Sequence, residues 1–134
     1  MTTVFADTHF FLALLSPSDQ WHANAVAFMS AFTGQLVTTG WVLTELADAL
    51  AITFKGRTEF LSTRDDLCND PDARIIPCED VLMEEGIQLY AQRSDKKWSL
   101  TDCISFVVMH REKISEALTA DHHFEQAGFV ALLK

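Results

Sequence analysis

Four acidic residues occupy positions where a folded chain could bring carboxylates together: Asp7, Glu45, Asp102 and Asp121. Carboxylates held close to one another repel and raise each other's pKa unless a cation neutralises them. Oxygen ligands of this kind suit Mg²⁺ or Mn²⁺, which keep coordination positions open for a phosphate. Two such ions, typically ~3.5–4 Å apart, can activate water and stabilise the leaving oxygen. The chemistry that these residues would serve is phosphodiester hydrolysis.

The elements around these acids give them a common location. Asp7 and Asp121 each follow a short predicted strand, whereas Glu45 and Asp102 each lie in the first turns of a predicted helix. In open parallel sheets, ligands bind in the crevice beyond the carboxyl ends of the strands, where the following helices begin. The sequence therefore predicts that four acids from four separate segments converge on one crevice.

Each acid also has a structural role open to it. Asp7 can cap the following helix and Asp121 can begin a turn. Ser99 and Asp102 have the S-x-x-D form of a capping box, which explains Asp102 alone. Glu45 is harder to explain, since its apolar neighbours predict a largely buried face, although an outward Glu45 also fits the pattern and Asp48 is an equally good exposed acid. The prediction of a site rests on the joint placement of the four.

Short apolar strands alternate with helices along the whole chain. Strands are predicted at 3–6, 35–38, 74–76 and 117–119, with a fifth at 129–132. Helices are predicted over a segment that buries Trp21, Ala25, Phe28 and Phe32 and stops at Gly34, and over 41–54, about 58–68, 79–92 and 99–111. The buried stripe of the 79–92 helix is expected to be Met83, Ile87, Tyr90 and Ala91. This alternation predicts the α/β class, with a parallel sheet covered on both faces.

Composition indicates one globular domain. The chain has 134 residues, of which 49% are hydrophobic, with ten Phe and three Trp, so disorder is excluded. Three cysteines without ligand-like spacing favour a reducing compartment, no disulfide framework and no structural zinc. Without a long apolar run or a basic N-terminal region, we expect a soluble, cytoplasmic protein. The net charge of −9 means that any nucleic acid must be held by local basic patches and by metal.

Four segments of the sequence resemble the conserved motifs of PIN domains, especially those of VapC-type toxins. They are Phe5–Leu14, Thr38–Leu50, Trp98–Phe106 and Ala117–Phe124, and Phe124–Phe129 also fits the family's tail. The segments occur in the family's order and cover essentially the whole chain, and the W-S-L-T-D run within them is quite specific.

The resemblance implies a single PIN-like domain over 1–134, a three-layer α/β/α sandwich with a short-stranded parallel sheet. It implies Mg²⁺- or Mn²⁺-dependent cleavage of single-stranded RNA by the toxin half of a toxin–antitoxin pair, with an antitoxin partner and a homodimer. Carried over, Asp7, Glu45, Asp102 and Asp121 are the catalytic and metal-binding acids. Ser99 and Thr119 would be hydroxyls that orient those carboxylates.

Basic and aromatic residues before the third motif have two interpretations. Arg93, Lys96 and Lys97 are explained by a helix C-terminus and a solvated loop. Alternatively, they contact the RNA backbone while Trp98 offers a stacking face. Phe10 and Phe11 belong either to the core or to a dimer interface.

The five histidines are weaker candidates. His122 and His123 are adjacent in what we expect to be an extended turn, where one zinc rarely takes both. His9 and His22 have no spaced partner, and structural or surface roles are expected for them.

Two other function classes fit parts of the pattern. The first is a PIN-like interaction module that has kept the acids but does no chemistry; a missing acid would be its discriminating sign, and none is missing. A phosphorylated receiver domain also clusters acids at strand ends, but it would need a Lys after a late strand, where only Lys134 is available.

Overall fold

A computed structural model of the protein, which describes residues 2–134, contains a five-stranded sheet. The strands are β1 (Thr3–Ala6), β2 (Gln35–Thr39), β3 (Ala73–Ile76), β4 (Glu116–Leu118) and β5 (Val130–Ala131), and they run β3-β2-β1-β4-β5. All four strand pairings are parallel. In β1 and β4, side chains on both faces of the sheet are buried, which explains why these strands are continuous apolar runs.

Within residues 2–134, seven helices connect the strands. They are α1 (Thr8–Leu15), α2 (His22–Ala31), α3 (Gly40–Leu50), α4 (Phe54–Asn69), α5 (Asp80–Gln92), α6 (Leu100–Arg111) and α7 (His122–Gln126). Crossovers between parallel strands are right-handed, so α1–α4, which lead away from β1 toward β3, cover one face, and α5 and α6, which return to β4, cover the other. The predicted α/β/α sandwich is confirmed.

The chain reverses its direction of travel across the sheet between β1 and β4. From β1 it proceeds outward to β2 and β3, and it then returns to place β4 and β5 on the other side of β1. A crevice forms beyond the carboxyl ends of the strands at such a switch point. Asp7 follows β1 directly, and Asp121 comes three residues after β4.

The close packing of α5 on α6 corrects the predicted buried stripe of α5. A Cβ atom on Gly86 would lie 2.3 Å from Ile104 Cγ1, so α6 approaches α5 along the side that carries Gly86 and the buried Leu82. Met83 is half-buried, but Ile87 and Tyr90 are 41% and 54% exposed and Ala91 is exposed. The hydrophobic pattern gave the wrong stripe because the closest contact of this helix with α6 is made by Gly86, which has no side chain.

Two helix boundaries differ from the prediction. The helix expected over 41–54 ends at Leu50, and α4 begins at Phe54 because the Thr53 hydroxyl accepts a hydrogen bond from Gly56 N–H. This is an N-cap. The sequence analysis also did not predict α1 or the short α7.

Phe10 and Phe11 belong to the core, with 1% and 2% of their surface exposed. They lie on α1 and contact each other edge to face, with their ring centroids 5.3 Å apart. Within residues 2–134 there is no helix that is both long and apolar enough to cross a membrane.

Candidate active site

Asp7 is a buried carboxylate at the centre of the crevice. It is the N-cap of α1, yet its side chain makes no capping hydrogen bond to that helix. Only 5% of its surface is exposed, and its Oδ2 accepts a hydrogen bond from Thr119 Oγ1 at 3.1 Å. The capping role that the sequence left open for Asp7 is therefore not realised, and most of its lone pairs remain free for another ligand.

Thr119 links the ends of β1 and β4. Besides donating to Asp7, its hydroxyl oxygen accepts a hydrogen bond from Asp121 N–H at 3.0 Å. One hydroxyl thus fixes the Asp7 carboxylate and the backbone of the loop that carries Asp121. Asp121 Oδ1 in turn accepts from His123 N–H at 2.9 Å, so this acid does cap α7.

Glu45 reaches the crevice from α3. Glu45 is exposed rather than buried as predicted. Its Oε1 accepts a hydrogen bond from the hydroxyl of the buried Thr8. Asp48 is exposed as well, but its carboxylate forms no hydrogen bond or ion pair within residues 2–134. The Thr8 contact therefore separates Glu45 from Asp48, which the helical pattern alone could not do.

Asp102 is held from two sides. The capping box predicted with Ser99 is present, because Asp102 N–H donates to Ser99 Oγ at 3.0 Å and Ser99 N–H donates to Asp102 Oδ2 at 3.1 Å. The Ser99 group that binds the carboxylate is thus its N–H rather than its hydroxyl. His123 Nδ1 lies 3.2 Å from the same Oδ2 and 3.5 Å from Asp121 Oδ1.

The charges of the four acids in the crevice act on one another. Burial, followed by the charge of Asp102, raises the pKa of Asp7 to about 7, and Glu45 adds to the effect. Burial and then the charge of Asp121 raise the pKa of Asp102, while Ser99 N–H and His123 lower it. The acids act on one another as a group of like charges without a Lys or Arg among them, since none of the nine ion pairs formed by residues 2–134 brings a Lys or Arg to these four carboxylates.

A comparison with protein families agrees with this geometry. The model of the PIN domain matches residues 4–130. The chain belongs to the PIN-domain family. This confirms the resemblance noted in the sequence, and all four acids of the crevice lie within the matched residues.

Solved structures share the PIN fold. VapC20 of Mycobacterium tuberculosis, described as a sarcin–ricin loop cleaving toxin, superposes with a TM-score of 0.85 and 24% identity, over 95% of this chain and 96% of its own. FitAcB from Neisseria gonorrhoeae gives 0.67 and 18%, over 96% and 94%. FitAB bound to an IR36 DNA fragment gives 0.68 and 19%, over 96% and 92%. No curated protein sequence gives a significant match.

His123 is a residue of this PIN site that sequence reasoning missed. An extended turn was expected at 122–123, but both residues lie in the first turn of α7 because Asp121 caps that helix. The ring centroids of His122 and His123 are 4.4 Å apart, and ligand atoms of Asp121, His122 and His123 lie within 4.8 Å of one another. The extended turn expected for His122 and His123 is therefore wrong, and their rings lie side by side in the helix.

Thr8 and His9 are the other contacts that were missed. Thr8 follows Asp7 directly, and a buried hydroxyl beside an acidic residue is a signal that could have identified it. His9 Nδ1 accepts a hydrogen bond from Ala120 N–H at 3.3 Å, which ties α1 to the loop before Asp121. His22 has the structural role that was expected, with its Nδ1 2.8 Å from Ala13 O.

Trp98 is not available for base stacking. Only 6% of its surface is exposed, its ring contacts Phe106 edge to face, and its Nε1 donates to Gln126 Oε1 at 3.0 Å. The guanidinium of Arg93 lies over the same ring, with its central carbon 5.0 Å from the ring centroid. Trp98 thus anchors the loop before α6 to α7.

Proposed function

We propose that this PIN domain is a Mg²⁺- or Mn²⁺-dependent endoribonuclease that hydrolyses phosphodiester bonds of single-stranded RNA. The observation that carries the proposal is Asp7: a buried carboxylate with a raised pKa, no capping bond and two further acids acting on its charge. A buried carboxylate without a cationic partner is expensive to keep for structure alone. The free-energy cost of burying the Asp7 carboxylate is explained if a bound cation neutralises it.

The residues present fit a hard divalent ion. All four acids offer carboxylate oxygens, which Mg²⁺ and Mn²⁺ prefer, and Asp7 has lone pairs that no protein donor uses. Asp7, Glu45, Asp102 and Asp121 would hold the metal. Such an ion supplies Lewis-acid activation of water and stabilisation of charge on the phosphate.

The remaining contacts position these acids. The Thr119 hydroxyl orients Asp7, the Thr8 hydroxyl orients Glu45, and Ser99 N–H together with His123 orients Asp102. Partners of this kind fix the angle of each ligand before substrate arrives. In this proposal, Thr8 and His123 join the predicted Ser99 and Thr119.

The resemblance to VapC-type toxins extends the proposal to a toxin–antitoxin pair. VapC20 is described as a toxin, and it aligns over nearly the whole length of both chains. We therefore propose a cognate antitoxin protein as a partner and a homodimer as the assembly, since symmetric dimers are the commonest soluble oligomers. A single-chain mass of 15.0 kDa by light scattering at micromolar concentration would contradict the dimer.

The test of the function is RNA cleavage by matched variants. Asp7→Asn, Asp102→Asn and Asp121→Asn keep the size of the side chain but remove a charge, so cleavage should fall by orders of magnitude. Asp48→Asn and Glu125→Gln make the same change outside the group and should cleave like the wild type. The substrates are an unstructured oligonucleotide and a sarcin–ricin stem-loop, with Mg²⁺ or Mn²⁺.

The outcomes of this experiment separate the alternatives. Equal losses in the control variants, or full activity in Asp7→Asn, would overturn the assignment of the acids. If the wild type, freed of any bound inhibitor, cleaves neither substrate with either metal, the chain is an interaction module that has kept the acids of a nuclease.

A further inference from the structure

Most cations of this acidic chain are already paired with carboxylates. Of its ten Lys and Arg residues, six form ion pairs: Lys55, Arg64, Arg74, Arg93, Arg111 and Lys134. Among residues 2–134, this leaves Arg57, Lys96, Lys97 and Lys113 without an acidic partner. Arg57 is engaged through its Nε, which donates to Ala51 O at 2.8 Å. Two of the remaining three, Lys96 and Lys97, are adjacent.

These two lysines line a pocket beside the carboxylates. The pocket has a volume of about 370 Å³, and its other walls include Tyr90, Trp98 and Cys103. Cys103 directly follows Asp102, and Lys97 is two residues before Ser99, whose N–H binds the Asp102 carboxylate. Two residues of extended chain span at most about 7 Å. This cavity, called the lysine pocket below, therefore lies next to the Ser99–Asp102 segment, although none of the four acids lines it.

The wall of the lysine pocket is held in place by Arg93. Its Nε and Nη2 donate to the two carboxylate oxygens of Asp95 at 2.9 and 3.0 Å, and its guanidinium stacks on the anchored Trp98 ring. Lys96 N–H donates to Arg93 O at 3.0 Å. Arg93 thus pairs with Asp95 through both carboxylate oxygens and braces the loop, so that Lys96, whose charge also acts on Asp95, and Lys97 form no ion pair of their own.

We propose that the lysine pocket binds the RNA strand beside the bond that is cut. The inference rests on the proposed ribonuclease function. Lys96 and Lys97 contact backbone phosphates, and the half-exposed ring of Tyr90 stacks on a base. Because the crevice itself repels phosphate until a cation fills it, the nearest uncompensated lysines supply the first attraction for the strand. Arg93, which the sequence grouped with the lysines, has a bracing role instead.

The experiment measures RNA binding without cleavage. Fluorescence anisotropy of a labelled single-stranded RNA is followed in EDTA over a series of KCl concentrations, starting at low salt. The double variant Lys96→Gln/Lys97→Gln is compared with Lys55→Gln/Lys113→Gln, which removes the same charge from other parts of the surface. Cleavage by each protein is measured in parallel with Mn²⁺.

The expected result is specific to phosphate contacts. The slope of log Kd against log salt should become shallower by about 1.4 in Lys96→Gln/Lys97→Gln, at ~0.7 per phosphate contact on a single strand, and should stay unchanged in the control. Tyr90→Ala should weaken binding by about fivefold or more without changing the slope, and Tyr90→Phe should restore it. A loss of fold would appear in the melting curves but would not give this pattern.

Several results would overturn the inference. They are an unchanged slope in the lysine variant, an equal change in both double variants, no binding by the wild type at low salt, or equally tight binding of polyglutamate, which would assign the pocket to an acidic protein partner. Cleavage by the wild type alongside any of these leaves the ribonuclease proposal standing and removes only the lysine pocket. Absence of cleavage removes the ribonuclease proposal itself.

Discussion

Two regions of this PIN domain treat their carboxylates in opposite ways. Along β3, α5 and α6, Arg74 pairs with Glu112 and Arg111 pairs with Glu85 through both oxygens of each carboxylate. At the carboxyl ends of β1 and β4, by contrast, Asp7 is more deeply buried than any of these acids and has no Lys or Arg partner among the described residues. In the first arrangement the carboxylate charge is neutralised within the chain, whereas in the second it is left for the cation of the proposed function.

Under the proposed function, this difference separates surface ion pairs, which matter little to stability, from acids that serve the chemistry. A buried charge that lacks a partner destabilises the fold, and acids of this kind are concentrated at functional sites. The exposed Arg–Glu pairs carry no such implication, because ion pairs of this type contribute little in either direction. Variants of the two regions should therefore respond oppositely to pH, metal and salt.

The largest expected effect on stability is the pH dependence caused by Asp7. Its pKa is about 7 in the folded protein and 3.8 as the ordinary value, so between these values only the unfolded chain is ionised. Without metal, the free energy of unfolding should thus fall as the pH rises from about 4 to about 7. At 1.36 kcal/mol per pKa unit, the loss is about 4 kcal/mol at most.

Asp7→Asn checks this directly. Denaturant unfolding in EDTA at pH 5 and pH 8 should show a variant that is more stable than the wild type at both pH values, with a clearly larger gain at pH 8 than at pH 5. Glu112→Gln, with the same loss of one carboxylate, is the matched control and should not reproduce the gain. A wild type that is equally stable at both pH values would contradict the raised pKa of Asp7.

The next effect in size is stabilisation by metal. An ion that binds only the folded state adds about 2.7 kcal/mol when its concentration is 100 times its Kd. Thermal unfolding of the wild type should therefore shift upward by several degrees in millimolar Mg²⁺ or Mn²⁺. Asp7→Asn should lose most of this shift and Asp48→Asn should keep it. Identical wild-type melting curves in EDTA and saturating Mn²⁺ would count against the site.

The sequence predicted those site residues whose position follows from the order of strands and helices or from near neighbours in the chain. Asp7 follows β1 and Asp121 follows the β4 loop in any parallel sheet of this topology, so their common edge was predictable. The Ser99–Asp102 capping box was predictable because both partners lie within four residues of each other. The α5 stripe failed because burial there depends on Ile104, a residue on another helix, packing against Gly86.

The remaining parts of the site depend on contacts between distant residues. The choice between Glu45 and Asp48 rests on Thr8, 37 residues away from Glu45. The contact of His123 with Asp102 requires the short α7, whose five residues have too little periodicity to be recognised. That Lys96 and Lys97 form no ion pair becomes apparent only after the six ion-paired cations have been matched with their acids in space.

The smallest expected effect lies in the paired region. Arg74 and Glu112 are 52% and 30% exposed in their side chains, so solvent screens their attraction. Glu112→Gln should cost less than about 1 kcal/mol at low salt, and the cost should shrink as salt is raised, because the Debye length falls from ~10 Å at 0.1 M to ~3 Å at 1 M. Urea unfolding of Glu112→Gln and the wild type at both salt concentrations measures this.

The Asp7→Asn gain at pH 8 should survive high salt better, since its origin is burial first and repulsion second. If salt abolished the Asp7 effect and spared the Glu112 effect, the contrast between a crevice of unpaired acids and a surface of matched pairs would be wrong.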